Sequence, residues 1–125
     1  MRLQESGEMY IESIYVLSKQ KSCVRSVDVA EYLGYSKPSV SRAIGLLKDA
    51  GYVESDVDGF LKLTADGRLI AEKTYERHNV LSECFKRLGV SETVADSDAC
   101  KIEHVISDET FKAVKEYFER TGITR

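Results

Sequence analysis

At 125 residues, the chain has room for one compact domain or two very small ones sharing a core. Its composition, 42% hydrophobic and 31% charged with both signs interspersed, is that of an ordinary globular protein. There is no apolar run long enough for a transmembrane helix and no basic-then-apolar leader, so a cytoplasmic location and no membrane partner are expected. The net charge of −3 disfavours a uniformly basic nucleic-acid binder, but the charge is segregated: Lys37, Arg42 and Lys48 share a stretch without acids, whereas Glu92, Asp96, Asp98, Glu103, Asp108 and Glu109 are opposed only by Lys101. Cys23, Cys84 and Cys100 are odd in number and widely spaced, which describes neither a disulfide framework nor paired zinc ligands.

The first helix is predicted over Glu8 to Ser18, where Met9, Ile11, Ile14, Tyr15, Val16 and Leu17 recur at helical spacing. A short second helix, Val27 to Leu33, has Ser26 as a candidate cap and Gly34 as its stop. Ser36 then caps a helix from Lys37 to Asp49, with Pro38 in the first turn, where a missing N–H costs nothing. Val40, Ala43, Ile44 and Leu47 form its apolar face; Ser39, Ser41 and Arg42 fall on the polar side, and Gly51 closes it.

Segments around Val53 and Phe60 to Leu63, separated by DVDG, read as a short antiparallel ribbon. Two helices joined by a tight turn and followed by a hairpin give the order of a winged helix-turn-helix. Thr64 can cap a long helix reaching about Leu88, with Gly89 as stop and apolar positions Leu69, Ile70, Tyr75, Leu81, Cys84, Phe85 and Leu88. A further helical segment runs from Ser91 through His104 and Val105. Ser107, Asp108 and Glu109 open a final helix ending at Gly122. The expected fold is mainly α: a winged helix-turn-helix over 1–72, then a small all-helical dimerisation and metal-binding domain over 73–125, with the long helix 64–88 shared.

Two constellations carry chemistry. The N-terminal end of the second helix of a helix-turn-helix enters the major groove, and Ser36, Lys37, Pro38, Ser39 and Arg42 lie there. Arg42 offers a bidentate fork to guanine, Lys37 suits a phosphate, and the helix N-terminus favours an anion. In the wing only Lys62 is basic, and Asp56 and Asp58 would repel a phosphate backbone unless turned away. Against this, Ser–Lys–Pro–Ser is also an ordinary capping sequence, and winged helices serve as protein-binding modules.

The second constellation is CKIEH. Cys100, Glu103 and His104, at i, i+3 and i+4, would share one helix face, offering thiolate, carboxylate and imidazole to a mid-row divalent ion. One face cannot enclose an ion, so His78 on the long helix and Met9 and Glu12, one turn apart on the first helix, are candidate partners. Such a mixed O, N and S set suits Fe(II), Co(II), Ni(II) or Zn(II); an all-O/N set suits Mn(II) better. A lone His78, a core Met9 and a surface Glu103–His104 pair are the ordinary alternatives.

With these residues in view, the chain resembles the DtxR/MntR family of iron- or manganese-dependent transcriptional repressors. The resemblance rests on EMYIESIYVL, VDVAEYLGYSKPSVSRAIGLLKDAGYV, LTADGRLIA, His78 and CKIEHVISDE, in order over essentially the whole chain. It implies a homodimer joined through the helical domain, a metal corepressor and a palindromic double-stranded operator. It also implies that Met9, Cys100, Glu103 and His104 match the iron-responsive ligand pattern. The manganese-responsive branch has aspartate and glutamate at the positions of Met9 and Cys100. Glu12 departs the other way, being a glutamate ligand in the manganese branch and an arginine in the iron type. His78 matches a ligand in both.

Ser82 and Asp96 stand where the iron type has glutamate and histidine ligands of an ancillary site, and Arg42 stands where it has glutamine. The chain stops at Arg125, so a two-domain form without the iron type's SH3-like domain is expected. Fe(II) is favoured as corepressor, because Cys100 replaces a hard carboxylate, with Mn(II) as the alternative and Co(II), Ni(II) or Zn(II) able to bind in vitro. The rival readings are a metal-independent DNA binder whose acidic half only dimerises, a small metallohydrolase, and a protein-binding adaptor. No substrate cleft, lid or small organic substrate is marked, so an enzyme is not expected.

Overall fold

The computed structural model describes residues 5–121, which fall into two compact units divided between Glu72 and Lys73. The element order is α1 (Glu5–Gln20), α2 (Ser26–Leu33), α3 (Lys37–Asp49), β1 (Val53–Ser55), β2 (Leu61–Leu63), α4 (Ala65–Arg87), α5 (Glu92–Ile102) and α6 (Asp108–Thr121). The boundary between the units falls within α4. Gly122, the expected stop of the last helix, lies outside the described residues.

The first unit is a helix-turn-helix with a two-stranded wing. Ile11, Ile14 and Leu17 of α1, Val29 and Ala30 of α2, Val40, Ile44 and Leu47 of α3, and Val53 and Leu61 of the strands form one buried cluster, to which Ala71 of α4 also belongs. The wing pairs Val53 with Leu63 and Ser55 with Leu61 in antiparallel register, so Val53 and Leu61 face this core.

Local chemistry sets the boundaries. Ser36 caps α3, its Oγ accepting the Ser39 N–H at 3.3 Å, and Pro38 occupies the first turn. The cap expected at Ser26 lies one residue earlier. Arg25 is extended, its N–H donates to Asp28 Oδ2 at 2.8 Å, and Ser26 is already helical, because the Asp28 carboxylate is the nearest acceptor for that free donor. Thr64 caps α4 through the Gly67 N–H at 3.1 Å and anchors the turn by donating to the Gly51 carbonyl at 2.7 Å. Gly67 is there for space: a Cβ at this position would stand 2.1 Å from the Tyr52 carbonyl oxygen.

The second unit packs the later turns of α4 against α5 and α6. Leu81, Ala99 and Phe111 are buried together, flanked by Val80, Phe85, Ile102, Ile106 and Val114. Along α4 the buried stripe is Ala71, Thr74, Arg77, Leu81 and Cys84. Leu69 and Leu88, expected on the apolar face, are exposed: Leu69 falls off this stripe of three- and four-residue steps, and Leu88 lies past the end of α4 at Arg87. α5 ends earlier than expected. It stops at Ile102, and the Val105 and Ile106 N–H groups both return to the Ile102 carbonyl, folding 103–106 into a turn.

Candidate metal centre and nucleic-acid interface

The start of α3 is a solvent-facing edge. Ser36, Lys37, Pro38, Ser39 and Arg42 are all exposed, while Val40 and Ile44 anchor the opposite face in the core. The Ser36 and Ser39 hydroxyls lie 2.9 Å apart and hydrogen-bond to each other, so Ser36 serves first as a cap. Lys37 and Arg42 provide the outward cationic reach. The N-terminus of the helix dipole adds a partial positive charge at the same edge.

The wing acids divide. Asp56 Oδ1 accepts the N–H groups of Asp58 and Phe60 at 2.9 and 3.0 Å, so its carboxylate is folded into its own turn. Arg25 lies over the Phe60 ring, 5.0 Å from its centroid, and adds a cation beside the wing.

On α1, Met9 and Glu12 are both half-buried, one turn apart. The Tyr35 hydroxyl, immediately before the α3 cap, lies 3.9 Å from the Met9 sulfur. Tyr35 packs edge-on against Tyr10.

In the second unit, α4 and the turn after α5 bring His78, Glu103 and His104 together. The Glu103 carboxylate is only 1% exposed. His78 Nδ1 is 2.9 Å from its Oε2, and His104 Nε2 is 3.2 Å from its Oε1. Glu103 and His104 are thus brought to one place by a turn, where sequence spacing expected a continuing helix. Cys100, on α5, is exposed.

A buried carboxylate is tolerated only where cationic or hydrogen-bonding groups compensate its charge. One oxygen donor between two imidazole nitrogens is chemistry that fits a first-row divalent cation. With Nδ1 of His78 hydrogen-bonded to the carboxylate, its Nε2 keeps a lone pair for ligation.

Other titratable groups nearby are committed elsewhere. Ser82 donates to Asp96, which holds that carboxyl below its usual range with help from Lys86. Burial pushes the Cys84 thiol up, so it stays a protonated apolar group.

Arg77 is the residue that sequence reasoning passed over. It is buried, and it donates to the Glu103 carbonyl at 3.2 Å, to the Ile106 carbonyl at 2.6 Å and to the Asp108 carboxylate. The available signal was a charge set within the buried stripe of α4, between Thr74 and Leu81.

Comparison with known proteins bears on both ends of the chain. Residues 2–59 match the family described as iron dependent repressor, N-terminal DNA binding domain. Residues 64–121 match iron dependent repressor, metal binding and dimerisation domain. The chain is 34% identical over 113 residues to the transcriptional regulator MntR of Escherichia coli O6:H1, covering 90% of this chain and 73% of that protein.

Among solved structures, the manganese regulator SloR superposes with a TM-score of 0.80 at 23% identity, covering 95% of this chain and 55% of that one. IdeR of T. acidophilum gives 0.78 at 24% identity, covering 98% and 56%. These two likenesses are of fold. The chain spans little more than half the length of either structure. Among the described residues, no helix is long and apolar enough to cross a membrane.

Proposed function

Because the chain belongs to the DtxR/MntR family of metal-dependent transcriptional regulators, which are DNA-binding proteins and not enzymes, we propose that it binds a palindromic operator as a homodimer when loaded with Fe(II) and represses genes of metal homeostasis in the cytoplasm. The observation that carries this reading is the Glu103 carboxylate, buried between the imidazoles of His78 and His104. Isolated buried anions are costly, and two neutral nitrogen donors beside one make a cation-binding set.

The proposed ligands are Met9 and Glu12 of the first unit with His78, Cys100, Glu103 and His104 of the second. A divalent ion supplies these donors with a shared positive centre. Met9 and Glu12 lie on α1, which packs on α2 and α3. Holding α1 therefore holds the reading helix. The domain assignment follows: 1–72 reads DNA, 73–125 binds metal and dimerises, and α4 joins them. In a two-fold dimer the two α3 helices are related by the same dyad as the half-sites of a palindrome.

Ser36, Pro38 and Ser39 are read as the close-approach edge, Lys37 as a phosphate contact and Arg42 as the base reader. Metal and DNA are then linked by population shift: each tightens the other by the same factor.

Mn(II) is the second reading. The oxygen and nitrogen donors of His78, Glu103 and His104 favour it, and proteins of the same fold include a manganese regulator and a manganese-dependent repressor. Both readings are tested by anaerobic operator titration of the full chain with Fe(II), Mn(II), Co(II) and Zn(II) at controlled free metal. Tightening by Fe(II) at a lower free concentration than Mn(II) is expected. Equal operator affinity with and without every metal overturns the switch.

A further inference from the structure

The turn that carries Glu103 and His104 is tied to the end of α5 only by amide donors, Glu103 N–H to the Ala99 carbonyl and the Val105 and Ile106 N–H groups to the Ile102 carbonyl, which leaves the Glu103 and Ile106 carbonyls to other partners. α5 ends at Ile102, and the next regular element, α6, begins at Asp108. Within that interval the backbone is gripped by one side chain from a different helix. Arg77 Nη1 donates to the carbonyl oxygens of Glu103 and Ile106, at 3.2 and 2.6 Å, and Nη2 donates to the Asp108 carboxylate at the start of α6. Lys73, one turn earlier on α4, adds a second cation 3.1 Å from Asp108. These charges hold the Asp108 carboxyl below its usual range, the Lys73 hydrogen bond first among the causes. Arg77 is itself only 7% exposed, and its guanidinium also lies over the Phe111 ring at 5.6 Å from the centroid.

A guanidinium is a rigid planar fork, and here its two ends join both ends of the 103–108 segment. Arg77 also precedes His78 directly, so α4 fixes the turn and supplies an imidazole from adjacent positions.

We propose that Arg77 is a positioning residue for the metal centre: through the Glu103 and Ile106 carbonyls and Asp108, it sets where the turn presents the Glu103 carboxylate and the His104 ring to a divalent cation. The inference rests on the proposed ligand role of those two side chains.

Its test exploits a difference in sign. Arg77 is a positive charge beside a cation site. If it acted only through its charge, removing it would tighten metal binding. If it positions the donors, removing it loosens binding. Partners that orient ligands from outside the coordination sphere typically change affinity about 10- to 100-fold, so Arg77→Gln in the full chain is expected to weaken anaerobic Co(II) binding by that factor and to alter the Co(II) ligand-field spectrum. In the metal-free protein the same variant speeds hydrogen exchange of the Val105 and Ile106 amides. Asp108→Asn is expected to act in the same direction and keeps the Ser107 cap on the Thr110 N–H at 3.1 Å; it serves should Arg77→Gln fail to fold.

Equal or tighter Co(II) binding by a folded Arg77→Gln protein overturns the inference, as does unchanged Co(II) affinity and amide exchange in Asp108→Asn. If the unsubstituted chain binds no Co(II), the ligand assignment itself fails and takes this inference with it. If it binds and the variants match it, only the role of Arg77 fails.

Discussion

Substituting Glu103 by Gln separates what the carboxylate does for the fold from what it does for a metal. The amide is nearly isosteric, so the packing around this almost fully buried side chain is kept. Two opposing changes follow in the metal-free protein. The charge-assisted hydrogen bond to His78 and the electrostatic contact with His104 weaken, and the cost of burying an anion disappears. These two effects oppose each other, and the net change is expected within about 1 kcal/mol.

Metal binding changes far more, because an anionic donor becomes a neutral one. A loss of at least about 100-fold is expected, the upper end of what outer-shell changes alone produce. At free metal of about 100 times the unsubstituted Kd, binding stabilises the unsubstituted chain by about 2.7 kcal/mol, and a variant with a 100-fold higher Kd by about 0.4 kcal/mol. The difference of about 2.3 kcal/mol corresponds to roughly 10 °C or more in Tm for a unit this small. Thermal unfolding by circular dichroism, with and without Mn(II) or Co(II), reads both quantities. An unchanged metal-dependent Tm shift in Glu103→Gln refutes the ligand role. A metal-free loss above about 3 kcal/mol shows instead that the carboxylate is a structural member of a buried ion pair.

Three further outcomes follow from the geometry. Gly67→Ala places a Cβ 2.1 Å from the Tyr52 carbonyl oxygen, and because both atoms belong to backbone-fixed groups it should destabilise the first unit by about 1–3 kcal/mol or more in urea unfolding. Asp28 is held below its ordinary pKa by the Lys21 hydrogen bond first and the Arg25 N–H second. Its folded value is depressed, so its contribution is complete above about pH 4 and disappears as pH falls through the lower folded value; urea midpoints of the unsubstituted chain and Asp28→Asn should therefore differ at pH 6 and converge towards pH 3. Arg42→Ala should cost about 1–3 kcal/mol on a specific operator and relax discrimination at one position, whereas Lys37→Ala should weaken all sequences alike and lower the salt dependence by about one ion. Indistinguishable effects of the two substitutions would refute the division of labour at the α3 edge.

The DNA-reading half was legible because its signals are local. The Ser36 cap, the proline in the first turn and the three- and four-residue spacing of Val40, Ile44 and Leu47 each fix structure within a few residues. α3 accordingly runs from Lys37 to Asp49, as the spacing predicts. The Thr64 cap was equally local. The Arg25 start of α2 was misplaced by one residue because a side chain three positions on supplied the acceptor that Ser26 was expected to provide.

The metal-binding half was legible in donor type but not in geometry, and the reason is physical. Sequence periodicity assumes that a helix continues until a glycine, a proline or the next cap stops it, and the first such signal in CKIEHVIS is Ser107, five residues beyond the end of α5. Where α5 ends, a long-range partner takes over: Arg77 donates hydrogen bonds to the carbonyls of Glu103 and Ile106, from 26 and 29 residues away in sequence. Those carbonyls gain a buried cation as partner, and the chain turns instead of winding on. Glu103 at the end of α5 meets the His78 ring with one carboxylate oxygen and His104, in the turn that follows, with the other, while Cys100 on the preceding turn is exposed. Helical spacing alone does not say that Cys100 is exposed where Glu103 is buried. The same side chain that defeats the periodicity argument is therefore the one on which the geometry of the donor cluster depends, which is why its replacement is expected to change the strength of metal binding in the direction opposite to its charge.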